Sequence, residues 1–495
     1  MSETPTPVGA HPTGGLRQIF RIKSPDALLL ESTEADQDGP HLKRSMGLFS
    51  LTLFSVGSII GTGIFIVLGV AVPMAGPAVI FSFILAAVAC MFSALSYAEL
   101  AGTIPISGSS YSYTYATLGE VVAWIVGWCL MLEYGLAISA TAVGWAQYLN
   151  AFLVDGFGVS LPDWMANGPM EGGLINLPAI VVIVLCGIFL IRGTSESAKV
   201  NSAMVLLKIG ILIFFCVIAF SSFSAGNFKP LLPLGMVGIS AAAGQIFFSF
   251  IGFDGVSTAG EEAKNPKRNL PIAIIASLVI VTAVYVLVAV AAIGAEPWQS
   301  FEGQGSEAVL ATIAHNVTGS AWAPVIIALG AVISIFSVVL VTMYGHTRIL
   351  FAMGRDGLLP KVFTRVSPRT QTPIINTLIV LAITGLLAGL IPLANLAEAT
   401  SIGTLTAFIA VNIGVIVLRR TRPDLPRGFK LPWGPVLPVM GILMNLYIMR
   451  YLRAETWIIF LGWMVLGLVI YFTYSFKRAR LRFHPDEIGR HGKAT

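Results

Sequence analysis

The chain has 495 residues, of which 56% are apolar and only 11% charged, and its mean hydropathy is +0.83. Soluble domains carry about a quarter charged residues, so this composition excludes a string of soluble domains and points to an all-α integral membrane protein. A net charge of +5 would suggest nucleic acid in a soluble chain, but here it follows membrane topology.

Residues 1–45 are polar, with scattered Pro and Gly and no short apolar core before a cleavage site, so they read as a cytosolic tail and not a signal peptide. Within them, residues 21–30 are predicted to form a short interfacial helix. The membrane domain is expected over 46–474 and a second cytosolic tail over 475–495. The first span, about 48–72, contains Gly57-Ser58-Ile59-Ile60-Gly61-Thr62-Gly63-Ile64-Phe65. Three glycines in seven residues favour helix poorly and let backbone open toward a ligand. Open backbone in hydrocarbon costs several kcal/mol per group unless it lines a site, although a glycine face for close helix packing is the alternative.

Span two is expected over 78–100, and Ser107 to Ser110 with Tyr111, Tyr113 and Tyr115 then predict a partly re-entrant loop. Span three, 121–149, carries Glu133, and span four, 174–191, follows a loop with acidic but no basic residues. Span five, 198–220, carries Lys208. Span six, from 237, contains Ser249-Phe250-Ile251-Gly252-Phe253-Asp254-Gly255, which repeats the Ser-x-Ile-Gly of Ser58 to Gly61 about halfway along the chain. Paired interrupted helices at matching places in two halves point to an inverted-repeat transporter with a site at mid-membrane. Spans seven to twelve are expected over 271–294, 322–344, 374–391, 402–418, 436–449 and 456–474, with an acidic loop between seven and eight. Of the 30 Lys and Arg residues, this arrangement leaves Lys229, Arg450 and Arg453 outside and Lys208 in the membrane; the rest fall inside, with both termini cytosolic.

Gly57 to Phe65, the run from Phe247 to Asp254 with Glu261-Glu262-Ala263-Lys264-Asn265-Pro266-Lys267-Arg268, and Tyr344-Gly345-His346-Thr347-Arg348 with Arg355-Asp356-Gly357-Leu358-Leu359-Pro360 resemble the bacterial cationic amino acid transporters. These belong to the amino acid, polyamine and organocation superfamily, and the resemblance covers about 42–474. It implies twelve transmembrane helices, as two inverted five-helix repeats with helices 1 and 6 broken, plus two further helices. It also implies an α-amino acid held between the breaks, the aromatic at Phe248 closing over it, and a Lys in span five bonded to carbonyls of span one where sodium-coupled relatives hold an ion.

The residues agree with a zwitterionic substrate. N–H groups at Gly61, Thr62 and Gly63 open a half-helix whose positive end suits a carboxylate. Carbonyls at Ile59, Phe248 and Ile251, at the ends of the outer half-helices, suit an ammonium, with Ser249 beside them. Phe248 is otherwise a core residue, while Phe250 and Phe253 read as packing. Asp254 is a candidate gating residue and Glu261 and Glu262 are helix-end charges. The Tyr111–Tyr115 run and the span-eight motif read as shaping cytosolic gates. Glu133 faces the substrate side chain or bonds a neighbouring helix. Lys208, too deep to snorkel, is a candidate proton carrier or is paired with a carboxylate such as Glu133.

The function expected is secondary active uptake of α-amino acids, cationic or small neutral, across the cytoplasmic membrane by proton symport, with an exchanger or a sodium-coupled carrier as alternatives. No HExxH, Ser-His pairing or Cys/His constellation suggests an enzyme, and no cofactor is expected. Cys90, Cys129, Cys186 and Cys216 lie in apolar spans without CxxC spacing, and the six His residues show no ligand spacing, so no metal is expected either.

Overall fold

The computed structural model describes residues 20–24, 46–104, 109–192, 198–260, 263–302, 308–370 and 372–483. These form helices α1 (Leu48–Ile59), α2 (Thr62–Ala75), α3 (Val79–Thr103), α4 (Ser109–Thr117), α5 (Glu120–Phe157), α6 (Leu177–Ile191), α7 (Ala198–Ser221) and α8 (Gly235–Phe247). There follow α9 (Pro266–Ala295), α10 (Val309–Thr318), α11 (Trp322–Arg355), α12 (Ile374–Leu390), α13 (Leu393–Thr421), α14 (Val436–Arg450) and α15 (Ala454–Ile470). No strand occurs among the described residues; Met46 and Ala263 make an isolated parallel bridge. Eight helical stretches are long and apolar enough to cross a membrane, and α6, α10, α12 and α14 are shorter apolar helices. Backbone in hydrocarbon must satisfy its own hydrogen bonds, which is why apolar sequence of this kind is spent on helices.

Packing brings the two interrupted segments together. Helix α1 lies against α9, α7 and the 3₁₀ stretch Phe253–Ala259, whereas α2 lies against α8, so like halves meet and both interruptions sit at one level. Around them α3 packs on α9, α5 on α11 and α6 on α12. Buried polar groups pin the later helices. Ser96 donates to Asn412 Oδ1 at 2.6 Å, and Ser93 accepts from Asn412 and Asn445, which locks α3, α13 and α14. Trp124 and Trp128 of α5 donate to the carbonyls of Gly467 and Trp463 in α15.

Both described ends of the chain reach one face, called here the tail face. Arg21 donates to the Leu481 carbonyl at 3.1 Å, and Lys23 Nζ lies 3.0 Å from Asp356 Oδ1 with both side chains buried. Residues 21–24 are not helical, against the expectation for 21–30. Their backbone pairs instead with the end of α4 and the start of α5, Lys23 N–H to Tyr115 O and Glu120 N–H to Arg21 O; residues 25–30 lie outside the described residues.

Three further expectations change. The connection expected as a re-entrant loop contains helix α4, with its tyrosines buried. Thr114 and Thr117 donate back to the carbonyls of Ser110 and Tyr113, so hydroxyls that depress hydropathy are satisfied within the helix. Burial, with Asp356 alongside, holds the Tyr111 phenol above its usual range, and it donates to Asp356 at 2.8 Å. The acidic loop between spans seven and eight contains α10, an apolar helix of ten residues tucked against α2, α7 and α11. Helix α13 begins at Leu393, nine residues before the expected 402, because its first turns hold Glu398, Thr400 and Ser401, which look like loop in a hydropathy window.

Candidate functional site

The first interruption is short. Helix α1 ends at Ile59, Ile60 and Gly61 leave helical geometry, and α2 starts at Thr62. The Gly61 N–H folds back to the Ile59 carbonyl at 2.8 Å, so of the three expected donors those of Thr62 and Gly63 head α2. Helix α1 is the half joined to the tail face, so Ile59 ends the half-helix on the tail-face side.

The second interruption is longer. Helix α8 ends at Phe247, one 3₁₀ turn covers Phe248–Phe250, Ile251 is extended, and Gly252 takes φ +114° before the 3₁₀ stretch Phe253–Ala259. The two interruptions touch through backbone. A Cβ on Gly63 would lie 2.5 Å from Ser249 Cα, and one on Gly252 would lie 2.6 Å from the Ser58 carbonyl oxygen. Glycine is therefore required at both contacts for lack of space, and at Gly252 for its left-handed backbone as well.

Buried polar groups converge here. Thr62 Oγ1 and Ser249 Oγ are buried without a hydrogen-bond partner. Tyr285, from α9, sets its hydroxyl 3.1 Å from the Ile59 carbonyl and 2.9 Å from the Ser249 carbonyl, bridging both interruptions. Lys208, buried in α7, donates to the Gly57 carbonyl at 3.2 Å, two residues before α1 ends. Phe248 O accepts from Ile251 N–H at 3.3 Å. Above this level a narrow cleft runs away from the tail face. Thr62, Gly63 and Phe248 form its floor, and Ile66, Val67, Gln245, Leu393 and Ala397 are among its walls.

Other expected residues stand apart. Asp254 is buried on the tail-face side and accepts from Ser109 Oγ at 3.2 Å, which ties the second interruption to the start of α4. Glu133 is buried in α5 beside Gly403 of α13, both carboxylate oxygens lacking a hydrogen-bond partner, and it does not line the cleft. It makes no hydrogen bond to Lys208. Phe250 and Phe253 are packed against Tyr285 and against Tyr97 and Phe408. Glu261 and Glu262 lie outside the described residues.

Sequence reasoning missed Tyr285, Val338 and Gln245. Val338 of α11 covers Gly61, a methyl 3.0 Å from where its Cβ would stand. A tyrosine, a valine and a glutamine in apolar helices carry no distinguishing pattern, and only the packing partner gives them meaning. No group of three His, Cys, Asp or Glu side chains is set for a metal among the described residues, and the four cysteines are buried and not joined in disulfides. What the arrangement offers is the unpartnered hydroxyls of Thr62 and Ser249 at the positive end of a 14-residue half-helix, where Gly63 packs on the backbone of the second interruption.

The amino acid permease family profile matches residues 46–475. The chain is 44% identical over 467 residues to a branched-chain amino acid permease of Bacillus subtilis, covering 94% of this chain and 99% of the relative. It is 40% identical over 470 residues to a methylthioribose transporter of the same bacterium, covering 94% and 100%. With the vacuolar cationic amino acid transporter 4 of Arabidopsis thaliana it shares 38% identity over 419 residues, 83% of this chain and 68% of that one.

Proposed function

Because this chain belongs to the amino acid permease family of the amino acid, polyamine and organocation superfamily, we propose that it takes up α-amino acids across the cell membrane by alternating access, moving a proton inward with each substrate. The observation that carries this reading is the backbone contact between the two interrupted helices at Gly63 and Ser249, with donors on one side and carbonyls on the other. The substrate carboxylate takes the N–H groups of Thr62 and Gly63, beside Gly61, and the Thr62 hydroxyl. The ammonium takes the carbonyls of Ile59, Ser249 and Ile251, replacing the Tyr285 hydroxyl at the first two, and Phe248 closes over the pair.

Twelve spans, arranged as two inverted five-helix repeats and two more helices, fit the packing of α3 on α9, α5 on α11 and α6 on α12, since these are corresponding members of the two halves. Both termini are assigned to the cytosol, which makes the tail face the inner one and Asp254, tied to Ser109, part of the inner gate. Lys208 is assigned the coupling role. Charged, it braces α1 through Gly57; on losing its proton it releases that carbonyl. A proton entering with a zwitterion gains about 2.3 kcal/mol per 100 mV of membrane potential.

The test is uptake into proteoliposomes of the purified protein over a panel of amino acids and methylthioribose. A pH gradient should drive accumulation into vesicles free of internal amino acid and without sodium. Uptake that requires internal amino acid makes the protein an exchanger, uptake that requires sodium makes it a sodium-coupled carrier, and uptake of methylthioribose alone rejects the substrate class. External labelling should modify a cysteine placed at Asp163 and spare one at Arg365.

A further inference from the structure

The cleft above Phe248 has an acidic residue behind its wall that no part of the transport reading uses. Gln245, on α8, lines the cleft and donates Nε2 to Glu398 Oε2 at 2.9 Å. Glu398, on the first turns of α13, is buried, and it also accepts from the backbone N–H and Nε of Arg453 and from Thr456 Oγ1 at 3.1 Å. Arg453 in turn reaches Asn395 Oδ1 at 3.0 Å, which fixes its guanidinium. A carboxylate has about four acceptor positions, and four donors occupy them here. Its charge is answered by a guanidinium on the side away from the cleft. Since an ionised carboxylate only accepts, Gln245 must turn its NH₂ toward Glu398, leaving its carbonyl oxygen as the amide's remaining polar atom. The other walls, Ile66, Val67, Val70, Leu393 and Ala397, carry no charge.

We propose that this cleft receives the substrate side chain, that it selects uncharged apolar side chains over cationic ones, and that Glu398 is a masked carboxylate which Arg453 keeps from serving as a cation acceptor. The proposal rests on reading the protein as an α-amino acid carrier. An ammonium or guanidinium entering the cleft would lose water and find neither a free carboxylate nor a charged wall, whereas a branched aliphatic side chain only gains by leaving water. Gln245 is the switch point, because it stands between the cleft and Glu398.

Competition against labelled leucine uptake in proteoliposomes tests this. Leucine, isoleucine and valine should compete with the parent protein at least about 100-fold better than lysine or arginine. Arg453→Gln unmasks Glu398 and should bring lysine to within about tenfold of leucine, Arg453→Lys should behave as the parent, and the double variant Arg453→Gln with Glu398→Gln should exclude lysine again. Because Arg453→Gln leaves a buried charge that can impair folding, the double variant Gln245→Glu with Glu398→Gln is the companion. Gln245→Glu alone would set two carboxylates within hydrogen-bond distance, where they share a proton, whereas the exchange moves the single carboxylate to the cleft wall, with an amide behind it to donate to it, and should admit lysine with Arg453 intact. A parent competed equally by lysine and leucine overturns the proposal, as does a leucine-transporting exchange variant or Arg453→Gln that gains nothing for lysine. If no amino acid is carried at all, the transport reading fails and this inference with it, a result distinct from amino acid uptake without side-chain selection.

Discussion

The two interruptions differ in how they end. The first joins two α-helical halves across Ile60 and Gly61, and the second passes from α-helix through 3₁₀ turns on both sides of Gly252. Aligned peptide dipoles sum only along regular helix, so the 14 residues of α2 give the first interruption a defined positive end. The second has no such α-helix on its far side, and what it presents is carbonyls, an aromatic ring and a left-handed glycine. On the proposed reading the substrate carboxylate therefore meets the helix start at the first interruption, while its ammonium meets carbonyls of both, Ile59 of the first and Ser249 and Ile251 of the second. The first is also braced from outside, by Lys208 at Gly57 and Tyr285 at Ile59, whereas the second is tied to α4 through Asp254 and Ser109.

The sharpest way to break this comparison is to add one methyl group at each glycine. Gly252→Ala forces an L-residue to φ +114° and drives its Cβ into the Ser58 carbonyl, so we expect uptake to vanish and stability to fall by about 3 kcal/mol. Gly63→Ala meets Ser249 backbone and should abolish uptake as well, with about 1–3 kcal/mol lost. Gly61→Ala meets only the methyls of Val338, at ordinary φ, and should cost less than about 1.5 kcal/mol while retaining measurable transport. Thermal unfolding and uptake in the same vesicles decide; equal damage at Gly61 and Gly252 would erase the distinction.

Lys208→Met removes the brace on the first interruption. Substrate should still bind, measured by its protection against thermal unfolding, but an imposed pH gradient should no longer drive accumulation. Gradient-driven accumulation at the parental level would make Lys208 structural.

Tyr285→Phe removes the hydroxyl shared by the two interruptions and keeps the ring that packs on Phe250. Losing a net hydrogen bond is worth about 1 kcal/mol, so transport should fall about fivefold without unfolding the protein. No change would mean the interruptions are held by backbone contact alone.

The smallest effect sharpens the polarity of the site. Thr62 Oγ1 has no protein partner, so Thr62→Val should leave stability unchanged or slightly raised while weakening substrate binding by about 1 kcal/mol, or about fivefold. The same loss for an amine lacking the carboxylate would show that Thr62 does not read the carboxylate.

Span positions were legible because hydrocarbon imposes one rule on every segment, and the periodic apolar runs of α3, α9 and α11 obey it. The interruptions were legible because Gly61, Gly63 and Gly252 are residues whose backbone freedom is written in their identity. Where local polarity misled, it did so because the polar groups were satisfied in ways a linear window does not register. The hydroxyls of α4 bond to their own turns, and the start of α13 is neutralised by Arg453, more than fifty residues later.

Composition, the glycine pairs and the Lys208 position were thus determined by the sequence alone, since each follows from the cost of placing that residue type in a low-dielectric medium. What only the tertiary structure decided is which polar group meets which. Lys208 meets Gly57 and leaves Glu133 without that bond, Tyr285 spans both interruptions, and Glu398 faces Arg453 with Gln245 between it and the cleft. Those pairings depend on helices far apart in the chain arriving at a common depth and rotation, and a hydrogen bond, effective over about 3 Å, is set by that arrival and by nothing local.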